Sequence, residues 1–227
     1  MALLLNIDTA TEYASVCLTN NGVNIGFSAN ADQKNHGAFL QPAIQQLFKS
    51  AGLLLQNLDA ISVANGPGSY TGLRVGLASA KGLSFALNKP LITINTLQVM
   101  AIAAIQSINQ PFNAATYFCP LIDARRLEVF TALYDENLNA ILAPSAMIVD
   151  GNSFANELQK YQIIFSGSGN QKLQNILHHP NAIFSSVQHN ATHLSILAQL
   201  SFVKNEFANL AYSEPLYLKE FYSQVKP

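Results

Sequence analysis

Apolar residues run from Leu3 to Ile7 with Asn6 as the one break, alternate with polar neighbours at Ala14, Val16 and Leu18, and return from Val23 to Phe27 behind the Asn20-Asn21-Gly22 turn. The first run fits a strand buried on both faces and the alternation fits a half-buried one, so the chain is predicted to open with a three-stranded meander. From His36 to Lys49 the apolar positions Phe39, Leu40, Ala43, Ile44, Leu47 and Phe48 recur at helical spacing. Pro42 is expected to bend that helix, because it removes a donor. Ala60 to Ala64 reads as a buried strand, followed by Gly66-Pro67-Gly68-Ser69-Tyr70-Thr71-Gly72 and a helix to about Leu87, where Asn88-Lys89-Pro90 stops it. A strand from Leu91 to Ile94 and a helix from Thr96 to about Ser107 complete the order β-β-β-α-β-α-β-α.

After Pro111 the pattern starts again. Strands are predicted from Thr116 to Ile122, from Leu127 to Tyr134 behind the polar Asp123-Ala124-Arg125-Arg126 turn, near Leu138 to Leu142, and from Ile163 to Ser166. A Gly167-Ser168-Gly169 turn and a helix from Ala191 to about Phe207 follow. The echo predicts two α/β domains of related topology, one over 1–108 and a smaller one over 109–207, with 208–227 packing back on the first. No low-complexity linker separates them, so they are expected to be closely joined.

At 227 residues and 49% apolar content the chain can bury one large core or two modest ones. Charged residues make up only 11%, against about 25% in ordinary soluble proteins, so part of the surface is expected to lie under a protein partner. The net charge of -1 supplies no basic field, and the chain alone should bind nucleic acid poorly. Cys17 and Cys119 are too far apart in sequence to suggest a disulfide framework and read as buried thiols in a reducing compartment. The run Met1 to Ile7 is too short for a signal-peptide core, and no stretch approaches the roughly 18 apolar residues of a membrane span. A cytoplasmic protein is expected.

The Gly66–Gly72 block lies between a strand and a helix, where free N–H groups can hold an anion. A P-loop would end in Gly-Lys-Ser or Gly-Lys-Thr, whereas here the chain reads Thr71-Gly72-Leu73. Pro67 and Thr71 flank Ser69, which excludes a nucleophile elbow. A tight turn with Ser69 or Thr71 capping the helix is the plainer reading. In that helix Gly72, Gly76, Ala80 and Ser84 recur every four residues, a small-residue stripe that either packs internally or receives a partner helix, with Leu73, Leu77 and Leu87 beside it. Asp8-Thr9-Ala10-Thr11 occupies the first bend, where actin, sugar-kinase and heat-shock-chaperone ATPase folds place an Asp-x-Gly-Thr phosphate loop. Ala10 in place of glycine argues against tight nucleotide binding. His189 and His193 have metal-type i, i+4 spacing but no sequence neighbour to complete a site, so surface histidines are expected. Arg125 and Arg126 read as a solvated turn, or as partners of Asp123 or Glu128, ahead of a phosphate contact.

Four blocks in order, Ile7-Asp8-Thr9-Ala10-Thr11, Asn65 to Gly76, Ile122-Asp123-Ala124-Arg125-Arg126 and Glu214-Pro215-Leu216-Tyr217-Leu218, resemble the TsaB (YeaZ) family over nearly the whole chain. The specific part is Gly-Pro-Gly-Ser-Tyr-Thr-Gly-Leu-Arg. The resemblance implies a two-domain actin-like (sugar kinase / heat-shock chaperone ATPase) α/β fold, each domain a mixed sheet with flanking helices. It implies a non-catalytic subunit that pairs with TsaD, the enzyme that transfers the threonylcarbamoyl group to the adenosine beside the tRNA anticodon. TsaE-type ATPase and the threonylcarbamoyl-AMP synthase TsaC would be reached through the pathway, tRNA only through the complex, and a homodimer is implied in isolation. No cofactor of its own is implied, with ADP or ATP at the complex interface. The implied partner interface is Phe39, Leu40, Ile44, Leu47, Gly72, Leu73, Gly76, Leu77, Ala80 and Ser84; Gly76→Leu should therefore break association and spare the fold. A vestigial nucleotide site would comprise Asp8, Thr9, Thr11, Gly66, Gly68 and Ser69. TsaD carries two metal-binding histidines on the helix that follows; Thr96 and Met100 take those places here, which implies that the metal site is absent. The rival readings are an ATP-dependent phosphotransferase using Asp8 and a peptidase, the latter without a convincing nucleophile and base.

Overall fold

In the computed structural model, residues 2–32, 35–108 and 116–219 are described. Strand β1 (Leu3–Asp8) pairs antiparallel with β2 (Ala14–Asn20), and β2 pairs antiparallel with β3 (Val23–Asn30). On its other edge β1 pairs parallel with β4 (Ala60–Ala64), which pairs parallel with β5 (Leu91–Ile94), giving the order β3-β2-β1-β4-β5. The second sheet is built from β6 (Thr116–Asp123), β7 (Glu128–Tyr134), β8 (Ala140–Ile148), β9 (Gln162–Ser166) and β10 (Ala182–Ser185). Its order, β8-β7-β6-β9-β10, repeats the first strand for strand, with the same antiparallel and parallel pairings. The expected two-sheet, actin-like architecture is what the chain adopts.

The largely apolar run of β1 arises because both its faces are covered. Leu3, Leu5 and Ile7 join a core with Leu40, Ile44 and Leu47 of α1 (His36–Ala51) and Leu77 and Ala80 of α2 (Tyr70–Leu87). Ala2 and Leu4 face the opposite way and pack with Leu194, Leu197 and Ala198 of α6 (Ala191–Val203). Between the sheets lies α3 (Thr96–Gln106), which is apolar on every side because it is buried on every side. Its Val99 belongs to the first sheet's core, while Leu97, Met100, Ala101 and Ala104 pack with Phe118, Ile122 and Ala132 of the second.

Several elements differ from expectation. Helix α1 runs on through Pro42, which lies on its exposed face, where water can take the hydrogen bond that proline cannot donate to Ala38. The strand expected near 138–142 is β8, Ala140–Ile148, because Leu138 sits in a turn at φ 62° that Asp135 organises by accepting from the Asn139 amide at 2.8 Å. The sequence reading missed α4 (Ala155–Leu158), α5 (Asn170–Gln174) and β10. Helix α6 ends at Val203 and packs on the first sheet, so the range 109–207 takes in a helix of the other half. The tail stays with the first sheet too: the Ala208 amide donates to Leu91 O at 2.8 Å and the Leu216 amide to Asn65 O at 2.7 Å. The expected domain boundary adjoins 109–115, which, like 220–227, lies outside the described residues.

Candidate functional site

The loop that leaves β1 lies directly on the first turns of α2, and the glycines of the Gly66–Gly72 block are what let it. A Cβ built on Gly68 would fall inside Ala10 O, one on Gly72 inside Thr9 O, and one on Gly76 inside Thr9 Oγ1. Thr9 Oγ1 donates to Gly72 O at 2.7 Å, and the Ser69 amide donates to Ala10 O at 2.7 Å. Ser69 Oγ caps the helix by accepting from the Gly72 amide at 3.3 Å. On the far side Gly66, at φ +115°, abuts the tail at Leu216 O, and its amide donates to Thr96 Oγ1 at 3.1 Å. Donors at the start of α2 are thus engaged by the chain itself. Among the suggested nucleotide residues, Thr11 lines the cavity described next and Asp8 reaches it through His189, whereas Thr9, Gly66, Gly68 and Ser69 are not part of its lining.

That cavity, of about 440 Å³, lies in the cleft to which both halves contribute. Thr11 and Glu12 come from the loop after β1, Met100 from α3, Gly167 and Ser168 from the turn after β9, and residues Ser185 to His189 from the crossing to α6. Met100 Cε packs against Gly167, where a Cβ would collide with it. Thr96 is therefore occupied in accepting from the Gly66 amide, and Met100 in packing on Gly167. Asp8 is fully buried; its Oδ1 accepts from the Ala10 amide at 3.1 Å and its Oδ2 lies 3.5 Å from His189 Nε2. Neither Oδ2 nor Nε2 has a hydrogen-bond partner. His36 is also buried, with Nε2 2.8 Å from Thr11 O.

Of the two histidines expected at the surface, His189 is buried and His193 is half-buried. His189 is 6% exposed and turns toward Asp8, while His193 belongs to the cap of α6. The Asn190 amide donates to His193 Nδ1 at 3.1 Å and the Thr192 amide to Asn190 Oδ1 at 2.8 Å. Burial, and secondarily the neighbouring His189, push the His193 pKa down, which favours the neutral ring that this accepted bond requires. Among the described residues, no three His, Cys, Asp or Glu side chains gather as a metal site. Burial pushes both Cys17 and Cys119 up to about 12, so neither is a thiolate nucleophile near neutral pH. At the β6–β7 bend Arg125 and Arg126 are exposed, the solvated turn of the two alternatives, while Lys172 takes Asp123 at 2.6 Å and Lys219 takes Glu128 at 2.5 Å.

The other candidate region is the outer surface of α1 and α2. The residues expected to meet a partner are mostly inside: Leu40, Ile44, Leu47, Gly72, Leu73, Gly76, Leu77, Ala80 and Ser84 are buried and Phe39 is half-buried. The stripe expected at an interface is thus filled by the protein's own loop. What α2 shows to the outside is Ala78, Gly82 and Ala86, again spaced by four, with Phe85 at 81% exposed. A separate groove of about 610 Å³, lined by Gln41, Pro42, Gln45, Lys49, Leu53, Leu54, Leu55 and Gln56 among others, touches α2 only at Leu83. The tail borders the same helix, since Lys81 Nζ donates to Ser213 O at 3.0 Å and Arg74 Nε to Tyr217 OH at 3.0 Å.

Residues 25–222 match the family described as TsaD, tRNA N6-adenosine threonylcarbamoyltransferase. The Escherichia coli tRNA threonylcarbamoyladenosine biosynthesis protein TsaB is 37% identical over 139 residues, 61% of this chain and 57% of that protein. The Haemophilus influenzae protein of the same name is 29% identical over 225 residues, 95% of this chain and 93% of its own. Among solved structures, a Pseudomonas aeruginosa protein described as uncharacterized, with similarity to peptidase YeaZ, superposes with a TM-score of 0.84 at 24% identity, covering 96% of this chain and all of that one.

Proposed function

The chain belongs to the family of the threonylcarbamoyltransferase TsaD, in its TsaB (YeaZ) branch, and we propose that it is the non-catalytic subunit that docks a TsaD protein for threonylcarbamoyladenosine formation on tRNA. The observation that carries this reading is the outer face of α2: Phe85 stands out beside Ala78 and Gly82, small enough to let a second helix come close. An isolated phenylalanine is unremarkable; one exposed beside a ladder of small residues on a chain with 11% charged residues is a docking feature. In isolation the same face would pair two copies, and with TsaD present the heterodimer would replace them. TsaE and TsaC act through the complex, and ADP or ATP is placed at the interface with TsaD. With a net charge of -1 the chain leaves tRNA to the complex. No helix among the described residues is long and apolar enough to cross a membrane, and the proposed place of action is the cytoplasm.

Non-catalytic standing draws support from the cleft. Thr96 and Met100 are engaged in hydrogen bonding and packing, and the Asp8 carboxylate that a phosphotransferase would use faces an imidazole. Neither rival activity gains an observation in its favour. The test is threonylcarbamoyladenosine formation on tRNA with purified TsaD, TsaE and TsaC, with and without this chain. Product only when it is present is expected; equal product without it would overturn the proposal.

A further inference from the structure

We propose that the end of the molecule at the β6–β7 bend is a binding strip for the phosphodiester backbone of an RNA strand, with Arg125 and Arg126 at its centre. The net charge of -1 conceals an uneven distribution of the 12 Lys and Arg residues. Contacts join Arg74, Lys219, Lys172 and the two arginines into one line. Arg74 Nε donates to Tyr217 OH at 3.0 Å, and Lys219, two residues further on, reaches Glu128 Oε2 at 2.5 Å. Lys172 Nζ donates to Glu128 O at 3.1 Å and to the Asp123 carboxylate at 2.6 Å, beside Arg125 and Arg126. The acids in that line are Asp123 and Glu128, and a lysine neutralises each. Both arginines are exposed, and among the described residues neither guanidinium has a partner. Their charges are uncompensated, and a guanidinium is a planar fork that fits phosphate oxygens in pairs. Of the other acids, Glu12 lines the cleft cavity, and Glu214 lies back along the tail between the Lys81 and Asn65 contacts.

The backbone of the bend points to a use for these side chains beyond turning the chain. Arg125 and Arg126 are consecutive at φ 73° and 48°, in the left-handed region that Gly and Asn occupy most easily. The Arg125 amide donates to Asp123 Oδ1 at 2.7 Å and the Glu128 amide to Arg125 O at 3.0 Å, so the bend is tied down where it carries them. Aromatic surface favours a nucleic acid over an acidic protein. Tyr217 is 41% exposed, its ring centroid lies 5.4 Å from that of Tyr70, and the Arg74 guanidinium lies 3.9 Å from the Tyr70 centroid. Unpaired bases stack on such rings while the phosphates follow the cations. Arg74 and Tyr70 belong to α2, so the strip begins on the helix that carries the docking face and ends on the second half. Naming the strand as tRNA rests on the role proposed above; the strip itself does not depend on the docking face.

Fluorescence anisotropy of a labelled tRNA titrated with the purified full chain, at salt from about 20 to about 200 mM, tests it. Binding should be weak and should fall steeply with salt. Arg125→Gln combined with Arg126→Gln should weaken it about tenfold at the lowest salt and lower the slope of log K against log salt by about 2. Lys160→Gln combined with Lys204→Gln removes the same charge from exposed positions before β9 and after α6, and should change binding by less than about twofold. The arginine pair should leave the melting temperature and the pull-down of TsaD unchanged. A chain that fails to dock TsaD but shows the arginine effect keeps this inference and loses the docking one, and the reverse pattern does the opposite. Equal losses from the two pairs, no binding up to about 100 μM at the lowest salt, or competition by polyglutamate as effective as by unlabelled tRNA would each overturn it.

Discussion

On its inner face α2 carries Gly72, Gly76, Ala80 and Ser84; on its outer face it carries Ala78, Gly82 and Ala86 at the same spacing of four. The inner ladder is buried, with Thr9 Oγ1 against Gly76 and Val63 Cγ2 at 3.4 Å from where its Cβ would be. The outer ladder is open and has Phe85 beside it. Side-chain size is thus matched on the two faces, and what differs is whether the chain supplies the neighbour. A small-residue stripe says that something comes close; it does not say whether that something is the protein's own loop or another molecule.

The contrast is broken most severely from the inside. Gly76→Leu should destabilise the fold by about 3 kcal/mol or more, because the loop at Thr9 cannot withdraw without unpairing its bond to Gly72. In a thermal melt this is a fall of roughly 6 °C or more. An unchanged melt would restore the sequence expectation that this stripe is surface. From the outside, Phe85→Asp should leave stability within about 0.5 kcal/mol yet weaken association with TsaD by at least about tenfold. Pull-down titration with a folded variant reads this, and undiminished association would remove the docking face from α2. The smallest effect concerns the helix that covers the opposite side of the same sheet. His193 has its pKa lowered on folding, so the unfolded chain takes up the proton first and its contribution to stability is complete above about 6.5 and falls as the pH drops toward the folded value. His193→Gln keeps a capping side chain and should flatten part of the decline in melting temperature below pH ~6.5. An identical pH profile for both proteins would show that another group carries it.

Much of the first half could be read in advance because its strands and helices are long enough to display a period: β1, β4, α1 and α2 each announce themselves through five or more residues. Helices α4 and α5 span about one turn each, too little for a 3.6-residue period to repeat, and nothing in their sequences sets them apart from the loops around them. The place of α6 was hidden for a different reason. Its sequence is apolar almost all round, so nothing in it names the sheet it covers. At the candidate site, Asp8 and Thr11 were found through their position at the first bend, whereas His189 lies far along the chain and only the fold brings it to Asp8. The outer ladder of α2 was legible, since Ala78, Gly82 and Ala86 repeat as regularly as the inner set. Only the contact with Thr9 decides which ladder faces in, and that contact spans more than sixty residues.

The position of α6 sets an order of events during synthesis. Leu4 and Ile94 belong to a face that is closed by Leu194, Leu197 and Ala198, so the first sheet to be translated waits for the last helix. At about 5–20 residues per second, the roughly 100 residues between Ile94 and Leu194 take about 5–20 s to be made. Over that interval a nascent chain holds a finished sheet with an uncovered apolar side, and α3 is the first helix available to shelter it. The second half, inserted between α3 and α6, therefore delays the completion of the first as well as following it.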